Sequence, residues 1–487
     1  MRDRWFWGKI TAMDKVKVRI APSPTGNLHV GTAQSALYNW LFAQKKGGQF
    51  FVRIEDTDEE RSDKKYEEDI LAGFKWLGIG WNGSVVRSSE NKDKYRLHLE
   101  QLLNSGKAFW CDHSKDELEE EQKRQINAKE APRHLCSHKK DRLLSGQVIR
   151  LNVDTGSERE IRFNDEVRGE VIFREKLIGD FAIARNLDSA LYHFAVVIDD
   201  IEMNITHVLR GEDHLSNTPK HILIYEALRQ AQGKPLEIPG FVHLPLLLGT
   251  DRSKLSKRNG QTSLNEYKKD YLPEAMVNFL AAISHTYSKE ILAREELIEE
   301  FDLKKIHKSG AVFDIKKLNW INSQYIRNLE IEKFRNLTGV EEITEKALPL
   351  ITERLEKLSD VHNFDYFWKE PSFAKASADA KALADSSEGE AGYVSEELLR
   401  WKKATLQESL DALKQVGEII KKSEFKSEIL RKELDGLGEK LGDRGLAYWP
   451  LRVALTGREK SPDPVDVAVV LGKDAVLKRI KNATEKL

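Results

Sequence analysis

At 487 residues, 40% of them apolar and 32% charged, the chain exceeds what one core accommodates and is expected to hold about three to five domains. A formal net charge of −1 excludes a uniformly basic nucleic-acid surface, so any such surface is local, and no run approaches the roughly 18 consecutive apolar residues of a membrane span. The two cysteines exclude a disulfide framework and fit a reducing, cytoplasmic setting, and the extension 1–14 lacks the apolar run and cleavage site of an export signal.

From Lys15 onward Val16, Val18 and Ile20 alternate with Lys17 and Arg19, which predicts a strand buried on one face and stopped by Pro22 and Pro24. Ala33, Leu37, Leu41 and Phe42 then recur at helical spacing from Gly31 to Lys46, and Gly47-Gly48 ends the helix. Phe50, Val52 and Ile54 alternate in a second strand that runs into Glu55-Asp56. Strand, helix and strand in so short a span predict a right-handed crossover and a doubly wound parallel sheet, in which ligands bind beyond the carboxyl ends of the strands. Further strands are read at Val196–Ile198, at Ile205–Leu209 running into Arg210-Gly211-Glu212-Asp213-His214, and at Phe241–Leu248.

The expected organisation is multidomain α/β. Residues 15–96 and 193–250 form the two halves of a Rossmann-like catalytic domain, and the charge-rich segment 97–192, which holds both cysteines, is inserted between them. Residues 251–329 carry a basic loop followed by helices, and 330–487 is all-helical apart from an Ala/Ser-rich stretch, 373–392, read as a solvated insertion.

Two loops carry the chemistry. Pro22-Ser23-Pro24-Thr25-Gly26-Asn27-Leu28-His29-Val30-Gly31 offers a polyanion the N–H groups of a helix start, a rigid approach and a histidine donor. Taken alone, a His-x-Gly is more often a tight turn with a surface histidine. Lys254-Leu255-Ser256-Lys257-Arg258, between Asp251 and Gly260, can close over a triphosphate and follow developing charge, although a lone basic loop is usually only solvated.

In this order and spacing the two loops resemble the "HIGH" and "KMSKS" signatures of class I aminoacyl-tRNA synthetases, with Thr32 in place of the final histidine and with Leu255 and Arg258 replacing a methionine and a serine. The stretches Arg19–Gly26, Arg53–Asp58, Arg210–His214 and Pro450–Gly457 are similar to bacterial glutamyl-tRNA synthetases almost letter for letter. The resemblance covers nearly the whole chain, starting near Lys15, so Met13 is an alternative start to Met1. It implies ATP-dependent ligation of L-glutamate to tRNA(Glu) through a glutamyl-adenylate, with Mg2+ accompanying ATP, activation only once tRNA is bound, attack by the terminal 2′-hydroxyl, and a monomeric enzyme. It leaves open whether tRNA(Gln) is charged too.

A glutamate pocket must pair the extra carboxylate with a cation and the ammonium with an anion, because either charge is costly to desolvate alone. Arg19 and Arg210 are candidates for the first task. The resemblance implies that they act there with Tyr192, that Glu55 contacts the amino group, and that Ala21 and Ser23 complete the site. It places ATP against Thr25, Gly26, His29, Gly31, Asp213, His214, Lys254, Ser256 and Lys257, with His29, Lys254 and Lys257 acting on the phosphates. It makes 97–192 the acceptor-end domain, 251–329 a stem-contact domain and 330–487 the anticodon-binding region. Trp401, Lys402, Lys403, Lys421, Lys422 and Arg452 are candidate RNA contacts there, although each alone is more often solvated or core.

The cysteines each begin a Cys-x-His triplet. Two thiolates and two imidazoles from Cys111, His113, Cys136 and His138 suit a tetrahedral structural zinc ion, with His134 as an alternative to His138. Rival readings are a paralogue that glutamylates a tRNA base, which lacks the helical region, and a catalytically dead RNA-binding scaffold, which would lose His29 or Lys257.

Overall fold

The alternation at the amino-terminal end forms β1 (Lys17–Ile20), which pairs in parallel with β2 (Gln49–Ile54) in the register Val18↔Phe50. The structure, a computed structural model, describes residues 15–58, 60–140, 145–233, 235–256, 262–374 and 394–486. The amino-terminal extension, Lys257 and 375–392 of the Ala/Ser-rich stretch lie outside the described residues.

Between β1 and β2 runs α1 (Val30–Lys45), a helix with no interior glycine or proline after its first turn, buried on most sides at Ala33, Leu37, Leu41 and Phe42. At Gly48 a Cβ would stand 2.2 Å from the Val16 carbonyl oxygen, so only glycine lets β2 return so close to β1. Helix α2 (Lys64–Trp76) leads to β3 (Val86–Arg87), which pairs in parallel with β2.

After α3 (Lys92–Asn104) the chain leaves this sheet. An antiparallel sheet is built from β4 (Ala108–Cys111), β5 (Val148–Leu151), β8 (Ala182–Asn186) and β9 (Ser189–Ala190), and α4 (Lys115–Asn127) buries no residue of its own. Within the same segment β6 (Glu160–Asp165) and β7 (Gly169–Arg174) form a hairpin, with Ile161, Phe163 and Asp165 on its buried face. Val196–Ile198, expected as a strand, belongs to helix α5 (Tyr192–Glu202). Because Phe194–Asp200 is buried all round, its short apolar run carries no period that separates strand from helix.

The chain then returns to the edge of the first sheet at β1. Strand β10 (His207–Gly211) lies beside β1, with Thr206 N–H donating to the Lys17 carbonyl at 2.9 Å, and β11 (Gly240–Leu244) follows α6 (Thr218–Gln232) and pairs in parallel with β10. Two sheets therefore lie side by side, β3-β2-β1 and β10-β11-β6-β7, with β1 next to β10 and the hairpin joined through the Phe241↔Asp165 pair. Successive strands are laid down on opposite sides of β1, which makes the crevice at the carboxyl ends of β1 and β10 the switch point where ligands bind. The run expected to continue to Leu248 breaks at Pro245, which has no N–H for a ladder, and resumes as β12 (Leu247–Leu248) paired with β13 (Ala311–Val312).

Contact density divides the chain into 1–321 and 322–487. In the second unit Leu410, Leu413, Val416 and Ile420 line one face of the helix Leu406–Lys422, which opens on a Thr405/Glu408 capping box. Further helices cover Ser427–Leu441, Arg444–Thr456, Pro464–Leu471 and Lys473–Lys486. Phe373, read as the first residue of the solvated stretch, is instead buried in a short parallel pairing with Val394. Among the described residues no helix is long and apolar enough to cross a membrane.

Candidate active site and metal centre

The carboxyl ends of β1, β2 and β10 open on a cleft of about 430 Å³. It is lined by all six residues expected to meet glutamate, Arg19, Ala21, Ser23, Glu55, Tyr192 and Arg210, and by His29, Gly31, Asp213, His214 and Lys254 from the expected nucleotide set. Thr25, Gly26 and Ser256 do not line it, and Leu255 does.

His29 is the N-cap of α1, its Nδ1 accepting the Gly31 N–H at 3.0 Å. Burial and the charge of Lys254 lower its pKa, so the ring stays neutral. A neutral ring whose Nδ1 accepts must carry its proton on Nε2, and that N–H is the donor the ring has left to offer. The same region is tied to the chain beyond the basic loop: Val30 N–H donates to the Thr262 carbonyl, and His29 bridges Ser263. Lys254 pairs with Asp213 at 2.9 Å, and Leu255 N–H donates to the Leu247 carbonyl. Burial, the largest single influence, opposes ionisation of Asp213, but the Lys254 hydrogen bond together with the neighbouring charges and a backbone hydrogen bond outweighs it and holds the carboxyl below its usual range.

The two arginines differ. Arg19 is committed to Asp200 through Nε at 2.8 Å and a terminal nitrogen at 3.2 Å. Asp200 also takes Arg53, fully buried, at 2.6 Å, and Arg53 reaches Glu55 at 3.1 Å and Asp199 at 3.6 Å. Asp199 is fixed in turn by the Tyr95 and Ser88 hydroxyls. Burial raises the Glu55 pKa above its ordinary value, only partly offset by Arg53 and Arg19. This ionic group presents Glu55 to the cleft on a rigid mount, and removing one member would cost about 3 to 5 kcal/mol.

Arg210, also buried, has no carboxylate partner among the described residues. Its Nε donates to His243 Nε2 at 3.3 Å, and its terminal nitrogens donate to His221 Nδ1 at 3.3 Å, the His214 carbonyl at 3.3 Å and the Thr218 hydroxyl at 2.8 Å. Four of its five N–H donors thus go to neutral acceptors, and a guanidinium cannot shed its charge. Burial lowers its pKa and pushes His221 and His243 down as well, so neither histidine competes as a cation. Tyr192, whose hydroxyl lies 3.2 Å from His214 Nδ1, is pushed up to about 12, chiefly by burial. A buried cation on a cleft wall with no directly bonded carboxylate among the described residues is suited to receive an anion, and a planar guanidinium matches a carboxylate.

Asp165, Asp199, Asp200, Thr218, His221 and His243 were missed in the sequence. The available signal was a pair of acidic residues inside an apolar run, Asp199-Asp200, and a carboxylate at a buried position of an alternating strand, Asp165.

In the inserted segment Cys111, His113, His134 and Cys136 bring their ligand atoms within 4.8 Å of one another. The fourth member is His134, where the Cys-x-His reading placed His138. Glu121 takes His134 Nδ1 at 2.5 Å, which leaves Nε2 facing Cys111 Sγ at 3.7 Å, while His138 Nδ1 accepts the Asp112 N–H. The sulfur–nitrogen separations of 3.4 to 3.7 Å match the ~3.5 Å edges that Zn–S and Zn–N bonds of about 2.3 and 2.0 Å give in a tetrahedron. A carboxylate behind a ligating histidine is the usual support for such an ion. The donor set fits zinc.

In the second unit Trp401 donates from Nε1 to Asp443 at 3.0 Å, and Lys402 lies over its ring, 4.5 Å from the centroid. Lys402, Lys403, Lys421 and Lys422 are exposed, whereas Arg452 is half-buried and donates to the Ser461 and Pro462 carbonyls.

A switch-point cleft with a histidine-capped loop on one side and a basic loop on the other is the architecture of a nucleotide-dependent ligase of the class I type. The family model for "tRNA synthetases class I (E and Q), catalytic domain" matches residues 15–320, and the model "Anticodon binding domain" matches 319–484. The chain belongs to the class I tRNA synthetases of the glutamate and glutamine group. A glutamate–tRNA ligase of Carboxydothermus hydrogenoformans is 40% identical, covering 96% of this chain and 99% of that protein, and one of Natranaerobius thermophilus is 37% identical over 97% and 99%. Among solved structures, a glutamate tRNA ligase from Elizabethkingia meningosepticum in complex with its amino acid matches with a TM-score of 0.79 and 32% identity, covering 97% of this chain and all of that one.

Proposed function

We propose that the chain is a glutamate–tRNA ligase that forms glutamyl-adenylate from L-glutamate and ATP and passes the glutamyl group to tRNA(Glu), releasing pyrophosphate and AMP. The observation that carries the glutamate specificity is Arg210, a buried cation with neutral partners only. Relatives that align along nearly their full length and are glutamate–tRNA ligases support the same reading.

On this reading Arg210 pairs with the side-chain carboxylate, with Tyr192 and the remaining donors of Arg19 beside it. Glu55 receives the ammonium, and Ala21 and Ser23 complete the wall. Glutamine would leave Arg210 unneutralised in a buried site, and such unpaired groups are what a polar pocket rejects most strongly. The α-carboxylate attacks the α-phosphorus in line; a carboxylate–phosphorus bond forms as the bond to pyrophosphate breaks, and no protein nucleophile is required. Nε2–H of His29 donates to the phosphoryl oxygens. Lys254 leaves Asp213 for phosphate as charge builds, and Lys257, outside the described residues, acts with it. Magnesium arrives with ATP and neutralises phosphate charge. Thr25, Gly26, Gly31, Asp213, His214 and Ser256 complete the nucleotide's surroundings.

Segment 97–192 takes the acceptor end, 251–329 the stem and 330–487 the anticodon, and the enzyme acts as a cytoplasmic monomer; tRNA(Gln) is a second substrate to be assayed. Exchange of labelled pyrophosphate into ATP with glutamate is expected to stay near background until tRNA is added, and rapid exchange without tRNA contradicts this.

Cys111, His113, His134 and Cys136 hold a zinc ion that fastens the otherwise core-poor α4 region. Elemental analysis is expected to find about one zinc per chain, and Cys111→Ser to release it and lower the melting temperature. Metal-free wild-type protein with an unchanged melting temperature in the variant contradicts the assignment.

A further inference from the structure

We propose that Asp165 and His243 are positioning residues that hold Arg210 in its carboxylate-binding orientation, an inference that rests on the reading of Arg210 given above. Alternation along β6 brings Asp165 to the buried face at the end of the inserted hairpin, next to β11. Its Oδ1 accepts from Val167 N–H at 3.0 Å and Arg168 N–H at 2.7 Å, and its Oδ2 accepts from His243 N–H at 3.0 Å and the ring Nδ1–H at 2.7 Å. Four donors saturate the carboxylate and fix it in place.

The direction of every proton follows. With Nδ1–H committed to Asp165, the lone pair of His243 Nε2 must accept, and it receives Arg210 Nε at 3.3 Å and the Thr218 hydroxyl at 3.0 Å. The Thr218 oxygen in turn accepts a terminal Arg210 nitrogen at 2.8 Å. Both Asp165 and His243 are sealed from solvent. Residues of the hairpin turn reach the cleft a second time, since Arg168 pairs with Glu212, whose other oxygen accepts the Leu246 N–H.

The chemical sense lies in what the imidazole separates. An aspartate bonded directly to Arg210 would orient it but cancel the charge that substrate must meet. A neutral imidazole between them transmits orientation without supplying a counter-ion. The neutral state is favoured because burial lowers the His243 pKa despite Asp165. The inserted segment therefore supplies one end of the chain of bonds that shapes the amino-acid pocket.

Steady-state kinetics on the full chain with tRNA test this. Asp165→Asn must turn an N–H2 group toward one of the two donor pairs, either His243 N–H and Nδ1–H or Val167 and Arg168 N–H, so the clasp that fixes the His243 ring behind Arg210 is broken on one side. It should raise KM for glutamate roughly 10- to 100-fold, the loss expected for a hydrogen bond to a charged group. KM for ATP and kcat should stay within about threefold, and discrimination against glutamine should fall. His243→Leu should behave alike, whereas His243→Gln, whose Oε1 replaces the Nε2 lone pair, should restore KM to within about threefold of wild type. If His243→Leu does not fold, the contrast between Asp165→Asn and His243→Gln carries the test. Parallel rises in KM for glutamate and ATP, or an unchanged glutamate KM in Asp165→Asn, would overturn the inference. Arg210→Ala separates the two levels: an unchanged glutamate KM there removes the reading of Arg210 itself, whereas a raised KM there with wild-type behaviour of Asp165→Asn removes only the positioning role.

Discussion

Arg210→Ala is expected to lower kcat/KM for glutamate by about 100- to 5,000-fold while leaving KM for ATP close to that of wild type. The range is the ~3 to 5 kcal/mol that a buried charge costs when its partner is removed, converted at 1.4 kcal/mol per tenfold. The remaining donors of Arg19 compensate only in part, because Asp200 already holds two of its nitrogens and neutralises its charge, and the groups bonded to Arg210 are neutral. Arg210→Lys should recover little, since an ammonium offers a point charge without the planar fork. Steady-state assays with glutamate and ATP varied separately check the result. A loss below about fivefold, or an equal loss for both substrates, would contradict the assignment of Arg210 to the substrate carboxylate.

The second large effect is expected at His29, where capping and chemistry can be separated. His29→Ala removes both the acceptor for Gly31 N–H and the Nε2–H donor. His29→Asn keeps a good N-cap, since asparagine accepts from the first turn of a helix, but has no group at the Nε2 position. Both variants should slow adenylate formation by about 100- to 1,000-fold, the usual cost of losing one preorganised donor to developing charge. Only the alanine variant should also be less stable, by about 1 kcal/mol, because only it loses the cap. Single-turnover formation of the adenylate and thermal melting give the two readings. A fast His29→Asn variant would show that the ring serves the helix and not the phosphate.

What was legible in the sequence is what local order encodes. Arg19, His29, Glu55 and Arg210 stand at the ends of alternating strands or at a helix start, and the topology of a parallel sheet brings such ends together. Their partners were not legible. Asp200 meets Arg19 and Arg53 across separations of 181 and 147 residues, and Asp165 meets His243 across 78. No period or spacing reports such contacts. The Val196–Ile198 error has a related cause, since a segment buried on every side loses the polar face by which helix and strand are told apart. In the Cys/His cluster, adjacency in sequence pointed to His138, whose Nδ1 lies 3.7 Å from Cys136 Sγ, whereas the approach of His134 to Cys111 depends on Glu121, a residue 13 positions away on α4 that holds its ring. The cap of α1 was only half legible: a histidine before a glycine was visible, the direction in which its ring accepts was not.

The central claim, that this chain ligates glutamate to tRNA, is tested most directly by incubating the purified protein with ATP, magnesium, tRNA(Glu) and each amino acid in turn, and analysing the tRNA 3′ end. The account predicts an alkali-labile glutamyl ester on the terminal ribose, formed with glutamate and not with glutamine, with one AMP and one pyrophosphate released per ester. Equal charging with glutamine, attachment of glutamate to a base instead of the terminal ribose, or no ester at all would contradict it.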